Sequence, residues 1–216
     1  VISEKTKTQI SSLTDKVIQS IPFWVNEEIF FNIDDKKNLR KKHNIPNDAY
    51  LIGSFQRDTE GKDLISPKLI KGPDRFFEIV ENLYKNNKNL KVLLTGKRRN
   101  YLIKKFEELN IPYIYFEMID FKTLNELYNC LDLYIVTSRI EGGPQAILEC
   151  GISKTPIIST NVGVAPEILP SKSIFDMTNY QNAEPDTDYV YTQSIRFTTK
   201  NGQEMFRKMF KNIGNF

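Results

Sequence analysis

Apolar and polar positions follow two alternating rhythms along the chain. Four continuous apolar runs, Tyr50–Phe55 (YLIGSF), Leu90–Thr95 (LKVLLT), Leu131–Thr137 (LDLYIVT) and Pro156–Ser159 (PIIS), are rich in β-branched and aromatic residues. Such runs predict strands buried on both faces, as in a parallel sheet. Pro112–Phe116 (PYIYF) is a weaker fifth. Between the runs the apolar spacing changes to three and four. Asp74–Lys85 carries Phe76, Phe77, Val80 and Leu83 or Tyr84 at that spacing, with Pro73 at a first-turn position. Asn100–Leu109 and Phe121–Cys130 repeat the rhythm, and Gln145–Cys150 starts a fourth helix directly after Gly-Gly-Pro. Strand and helix thus alternate from about residue 50 to residue 175. This predicts βαβ units with right-handed crossovers and an α/β fold, a Rossmann-like three-layer α/β/α domain on a parallel sheet. Sheets of this kind take ligands at the carboxyl ends of their strands.

The flanks read differently. Residues 1–35 predict a short strand end, a helix at about Lys5–Leu13, a strand at Lys16–Ile21 and a turn at Pro22. Residues 180–194 are rich in Asp, Glu and Tyr with little apolar periodicity and predict a surface connection. Glu204–Ile213 predicts a basic amphipathic helix. The main domain is therefore set at 36–178, with 179–216 as a C-terminal connection and returning helix.

Composition narrows the chemistry. With 216 residues, the chain is one domain plus extra on a prior of about 100–200 residues per domain. Hydrophobic residues at 40% are enough for a sizeable core, which excludes a wholly disordered chain. A net charge of +3 is too mild for a dedicated nucleic-acid binder. One histidine, His43, and two cysteines, Cys130 and Cys150, leave little room for histidine–metal chemistry, a Cys-based zinc site or a Ser-His-Asp triad. His43 reads as a surface residue, both cysteines as small buried helix residues, and Lys97–Arg99 (KRR) as a solvated loop. No run of 18 apolar residues exists, and the N-terminus lacks the apolar stretch of a signal peptide. Together with the unpaired cysteines this favours the cytosol.

The most informative segment begins at Ser138: S-R-I-E-G-G-P-Q-A-I-L-E-C-G. A strand ends, a Gly-Gly-Pro loop comes next, and a helix begins near Pro144. A helix start presents unpaired N–H groups and a partial positive charge, which together suit an anion. Glu141 lies in the loop and Glu149 in the helix's second turn, so the two address different parts of one elongated ligand. A carboxylate beside a phosphate is unfavourable unless hydroxyl groups donate to it, and sugar and ribose hydroxyls are natural donors. Read blandly, the two glutamates are helix-end charges and Gly142–Gly143 a simple turn.

Glu141 and Glu149 are separated by seven residues, and the segment resembles the E-x7-E signature of retaining GT-B glycosyltransferases of the "group 1" type. Four further stretches fall in the order of that family: Asp132–Ser138 (DLYIVTS), Thr155–Ile168 (TPIISTNVGVAPEI), Lys71–Asp74 (KGPD) and Ile21–Phe30 (IPFWVNEEIF). The resemblance implies the C-terminal, donor-binding half of a GT-B fold, with residues 1–35 as a remnant of the N-terminal domain and interdomain connection. It implies a donor of the nucleoside diphosphate sugar class, UDP- or GDP-linked, a hexose transferred to a hydroxyl acceptor with retention, and no metal or other cofactor. Residue by residue, Glu149 takes the ribose hydroxyls and Glu141 the donor sugar. Gly142, Gly143, Pro144, Gln145 and Ala146 face the diphosphate, and Arg57 and Lys71 neutralise it as it leaves. The base sits near Glu117–Ile119, hence at Met118. Arg57 and Lys71 are separated by an insertion, Asp58–Ile70, so Lys62 is an alternative phosphate lysine. Val164 stands where the family has the second glycine of a Gly-Gly pair.

The chain begins at Val1, and the acceptor-binding domain is expected to lie upstream. Residues 1–216 alone are therefore expected to bind donor and to turn over little. A non-catalytic nucleotide-binding or assembly module and another GT-B activity, such as a nucleotide-sugar 2-epimerase, stay as alternatives; a phosphorylase is disfavoured, because no match to a pyridoxal-bearing lysine site is present. A dehydrogenase is disfavoured, because no G-x-G-x-x-G comes after the first strand of the sheet. The returning helix, with Arg207, Lys208 and Lys211, leaves open a peripheral membrane contact beside the plainer reading of interdomain packing.

Overall fold

The structure, a computed structural model, describes residues 1–213, so positions 214–216 of the C-terminal connection lie outside the described residues. A six-stranded parallel sheet runs in the order β3-β2-β1-β4-β5-β6. Its strands are β1 (Tyr50–Ser54), β2 (Leu90–Thr95), β3 (Tyr113–Phe116), β4 (Leu133–Val136), β5 (Ile157–Thr160) and β6 (Ile174–Phe175). The register pairs Ile52 with Val92 on one side and with Leu133 on the other. The strand order reverses between β1 and β4, which makes the crevice above their carboxyl ends the natural ligand site. The five predicted strands are present with shifted ends. The two-residue β6 is too short to leave a pattern in the sequence.

Alternate residues of each strand feed two cores, as period-2 side-chain geometry requires. Leu51, Leu93, Tyr134, Val136 and Ile157 face one, with α5 (Phe121–Cys130) and α6 (Gln145–Ile152) supplying Leu127, Tyr128, Ile147 and Leu148. Ile52, Val92, Leu94, Ile135 and Ile158 face the other, against Phe76, Ile79 and Val80 of α3 (Pro73–Asn86) and Leu102 and Phe106 of α4 (Asn100–Glu108). Cys130 and Cys150 are fully buried on the first side, as expected. These are the three layers expected from the alternation.

The flanks depart from expectation. The N-terminal helix, α1, spans Glu4–Ser11, and its cap Ser3 accepts the Thr6 N–H. Lys16–Ile21 is not a strand: among the described residues its backbone meets a neighbour only at its end, where Val1 donates to the Gln19 carbonyl at 2.9 Å and accepts the Ile21 N–H at 2.8 Å, and Val17 is 99% exposed. Residues 180–194 are not bare connection, because Asp186 caps a helix, α8 (Thr187–Ser194), that packs Val190 and Ser194 inward beside α6. The last helix, α9 (Thr199–Ile213), starts five residues earlier than the basic pattern suggests. Its beginning is tied to the front of the chain, where Val25 and Thr198 form a parallel bridge.

His43 is not a free surface residue. It directly succeeds α2 (Lys36–Lys42), and its Nε2 lies 2.8 Å from Glu126 Oε2, a carboxylate that also binds Lys42. The KRR stretch is not a solvated loop either. Arg99 is fully buried, its Nε donates to Asp58 Oδ2 at 2.8 Å and its Nη1 to the Thr95 carbonyl at 3.0 Å. It thereby ties the end of β2 to the start of the 58–70 insertion. Its Nη2 finds no acceptor, and burial pulls the guanidinium pKa below the usual arginine value against the opposing pull of Asp58. Removing one member of such a pair strands the other charge in a dry interior. Arg99→Met is expected to lower unfolding free energy by about 3–5 kcal/mol in urea titration. A loss below about 1 kcal/mol would show that Asp58 finds water or a new donor.

Candidate active site

The carboxyl ends of the strands open into a cleft of about 440 Å³, within the size range of small-ligand sites. Its wall is built at the strand ends and in the loops beyond them: Phe55 and Gln56 after β1, Thr95 and Gly96 at β2, Glu117–Ile119 after β3, and Glu141, Gly143–Ala146 and Glu149 after β4. Lys71 comes from the turn that leads into α3.

Lys71 ends a short 3-10 turn, Leu69–Lys71, and Gly72 comes next in the left-handed region at φ 67°. A Cβ at Gly72 would overlap the Thr137 carbonyl oxygen, so only glycine lets this turn lie against the end of β4. Thr137 Oγ1 then donates to the Gly72 carbonyl at 2.8 Å. Arg139 N–H donates to the Ile70 carbonyl at 2.9 Å. The Arg139 guanidinium grips Asp74 with two hydrogen bonds of 2.8 and 2.6 Å, and this holds the Asp74 carboxyl below the usual carboxylate range. Segments 69–74 and 137–141 are thereby joined edge to edge. The join brings the Lys71 ammonium onto Glu141 Oε1 as an ion pair. The Ser138 hydroxyl lies 3.1 Å from the same carboxylate oxygen. Gln56 closes the network, donating from Nε2 to the Lys71 carbonyl at 2.9 Å.

The loop bearing Glu141 is supported from below. Gly163, at φ 48°, would place a Cβ 2.5 Å from the Gly142 carbonyl oxygen, so its bareness admits the loop rather than a ligand. Val164, where the family has glycine, is buried against Gly143. Helix α6 begins at Pro144 with no side-chain cap, which leaves the N–H groups of Gln145 and Ala146 without intrahelical acceptors. The Gln145 side chain is committed elsewhere, donating to the Trp24 carbonyl at 2.9 Å.

Glu149 lies one turn deeper. The Tyr128 hydroxyl donates to its Oε2 at 2.6 Å. Tyr128 in turn packs against Phe55, centroids 4.8 Å apart, and against Tyr134 at 5.6 Å. This aromatic floor removes water from the carboxylate. Desolvation pushes the Glu149 pKa up to about 6, with the Tyr128 hydrogen bond pulling the other way.

Of the residues expected at the site, the cleft collects Lys71, Glu141, Gly143, Pro144, Gln145, Ala146, Glu149 and Met118. Met118, in the loop after β3, is 70% exposed. Two do not line it. Gly142 faces away, where a Cβ would meet Ile2 Cδ1 at 2.6 Å. Arg57 is exposed, with its Nε on the Thr59 carbonyl at 2.6 Å. The insertion explains this: Asp58 is anchored on Arg99, and Thr59 bridges Pro67, so the chain turns outward just after Gln56. Lys62 is exposed in the same insertion and does not line the cleft. Of the expected Arg57–Lys71 pair, Lys71 lines the cleft, beside Gln56, and Arg57 does not. Gln56, Tyr128 and Ser138 went unseen in the sequence, where an amide, a helix aromatic and a lone serine carry no distinguishing pattern.

A family model described as glycosyl transferases group 1 matches residues 35–184. The chain belongs to this family. It is 26% identical over 180 residues to the O-antigen biosynthesis glycosyltransferase WclY of Escherichia coli, across 79% of this chain and 47% of that protein. Sucrose-phosphate synthase from Thermosynechococcus elongatus superposes on 100% of the chain and 58% of its own length, with a TM-score of 0.77 at 16% identity. HepE from Anabaena, in complex with UDP-glucose, superposes on 97% of the chain and 62% of its own length, with a TM-score of 0.73 at 14% identity. The chain thus spans about half of WclY and about three fifths of each of these structures. The likeness in structure establishes the GT-B type of fold. Among the described residues no helix is long and apolar enough to cross a membrane.

Glu149 gives a stability signature. Its folded pKa of about 6 lies above the reference value of 4.5, so the folded state holds a proton that the unfolded state releases between those values. Stability therefore falls as pH rises through that window, by about 2 kcal/mol in all. Glu149→Gln is expected to raise stability by about 1–2 kcal/mol at pH 7.5 and to leave it unchanged at pH 4, read by thermal melts at both values. An equal gain at both would mean the carboxylate is not the cause.

Proposed function

We propose that the chain is the donor-binding half of a glycosyltransferase that moves a hexose from a nucleoside diphosphate sugar to a hydroxyl acceptor with retention of configuration. The observation that carries this reading is one cleft at the strand-order reversal holding Glu149 and Glu141 at two depths beside an uncapped helix start and Lys71. Glu149 receives the ribose hydroxyls, its second oxygen being free of the Tyr128 bond. The α6 amides of Gln145 and Ala146, with Gly143, receive the diphosphate. Glu141 receives hydroxyls of the hexose, and Met118 and its neighbours border the base.

As the bond from the sugar's anomeric carbon to the phosphate oxygen breaks, its electron pair leaves on the diphosphate. The α6 N–H groups and Lys71 are fixed beforehand where that charge grows, which is electrostatic stabilisation without a metal. Arg57 takes no part in this arrangement. The UDP-glucose complex of HepE supports a uridine donor class for a cleft of this fold.

A calorimetric and thermal-shift panel of UDP, GDP, ADP and their glucose conjugates tests the reading. One base is expected to raise the melting temperature with ligand excess. Glu149→Ala is expected to lower that affinity by about tenfold or more, since it removes a charge-assisted acceptor worth about 1.5–3 kcal/mol. No shift with any nucleotide rejects the proposal, and unchanged affinity in Glu149→Ala removes Glu149 from the ribose.

A further inference from the structure

Lys71 and Glu141, the cation and the carboxylate that the proposed reaction places beside the sugar–phosphate bond, are bonded to each other in the cleft. Both are largely withdrawn from solvent, the Lys71 side chain at 27% exposure and Glu141 at 13%. Glu141 has two donors on the same oxygen, Lys71 and the Ser138 hydroxyl. The Ser138 hydroxyl has one proton, and the Gln56 Oε1 at 3.2 Å and the Lys71 carbonyl at 3.4 Å also compete for it. Lys71 is thus the main support of this carboxylate.

A diphosphate entering at the α6 amides draws Lys71 toward itself and stands as a second anion beside Glu141. The two arriving ligands differ in what they offer in return. An intact nucleoside diphosphate sugar brings hexose hydroxyls, which donate to the released carboxylate. A nucleoside diphosphate without its sugar brings none, and its terminal phosphate carries more negative charge. We propose that the Lys71–Glu141 ion pair makes the cleft discriminate against nucleotide that has lost its sugar, so that Glu141 recaptures Lys71 and expels the spent diphosphate after transfer. The inference rests on the donor-binding reading above and adds a specificity role for a pair whose members otherwise have separate tasks.

The test is calorimetry at pH 7.5 on the unaltered chain, Glu141→Gln, Lys71→Met and the double variant. Each is titrated with UDP, GDP, ADP and their glucose conjugates, and ligand-free melts check that each is folded. Glutamine keeps the shape and an acceptor for Lys71 but removes the charge. Glu141→Gln is expected to tighten the free diphosphate of the preferred base by about tenfold, the scale of removing one nearby like charge. It is not expected to tighten the glucose conjugate, so the preference for intact donor shrinks. In the Lys71→Met background the same change removes only the like charge and frees no lysine, so it is expected to tighten free diphosphate by less than in the unaltered chain. Glu141→Ala repeats the comparison should the glutamine variant melt early. Unchanged or weaker diphosphate binding in the Glu141 variants, or equal tightening of both ligands, overturns the inference while leaving donor binding intact. Failure of the unaltered chain to bind any nucleotide overturns the donor-binding reading and this inference with it.

Discussion

The edge-to-edge join between the turn 69–74 and the segment 137–141 decides the geometry of the cleft. Parallel strands β1 and β4 place Gln56 and Ser138 near each other, but strand pairing alone does not bring in Lys71, which belongs to the entry of α3. Gly72 admits Thr137, Arg139 clamps Asp74, and the Ile70 carbonyl takes the Arg139 N–H. A side chain at position 72 would push the turn off β4 and separate Lys71 from Glu141. The K-G-P-D sequence is compact because each residue has a separate task. Lysine supplies charge, glycine the close approach, proline the first helical turn and aspartate the anchor for Arg139.

How much of this is legible in the sequence depends on how local each cause is. Strands β1, β2 and β4 are legible because burial on both faces demands continuous apolar runs. Glu141 and Glu149 are legible because a fixed spacing across a loop and a helix start is a local pattern. Arg99 is opaque for the opposite reason. A Lys-Arg-Arg run after a glycine reads as solvated until Asp58, from an insertion 41 positions earlier, arrives to bury with it. Arg57 fails with it, since the anchoring of Asp58 turns the chain away from the cleft. Tyr128 is a buried core residue. Its hydroxyl becomes part of the site only because α6 lays Glu149 over it. Lys16–Ile21 shows the limit of reading strands from local sequence: the segment bonds a neighbour only at Gln19 and Ile21, too little to make a strand.

Helix α8 and the 25/198 bridge show the fold's second dependence. Both lie in flanks where the apolar pattern is thin, and both are held by tertiary closure rather than propensity. Trp24, whose carbonyl takes the Gln145 amide, also packs edge-on to Phe206 of α9 at 5.1 Å. The front and back of the chain are thus linked to α6, whose first turn lines the cleft.

Charge in the cleft is poorly matched to a bare phosphate, and that mismatch is informative. Lys71 is balanced by Glu141, and Glu149 adds a carboxylate that burial keeps reluctant to ionise. An anion alone gains the α6 amides but meets two carboxylates. A ligand that carries hydroxyl groups on both sides of a diphosphate satisfies both carboxylates while it uses the same amides. Under the donor-binding proposal the acidic groups act as a filter for polyhydroxylated diphosphates, with the helix start adding positive potential to that of Lys71. On the same proposal, two carboxylates against one lysine favour a nucleotide sugar over a smaller phosphate.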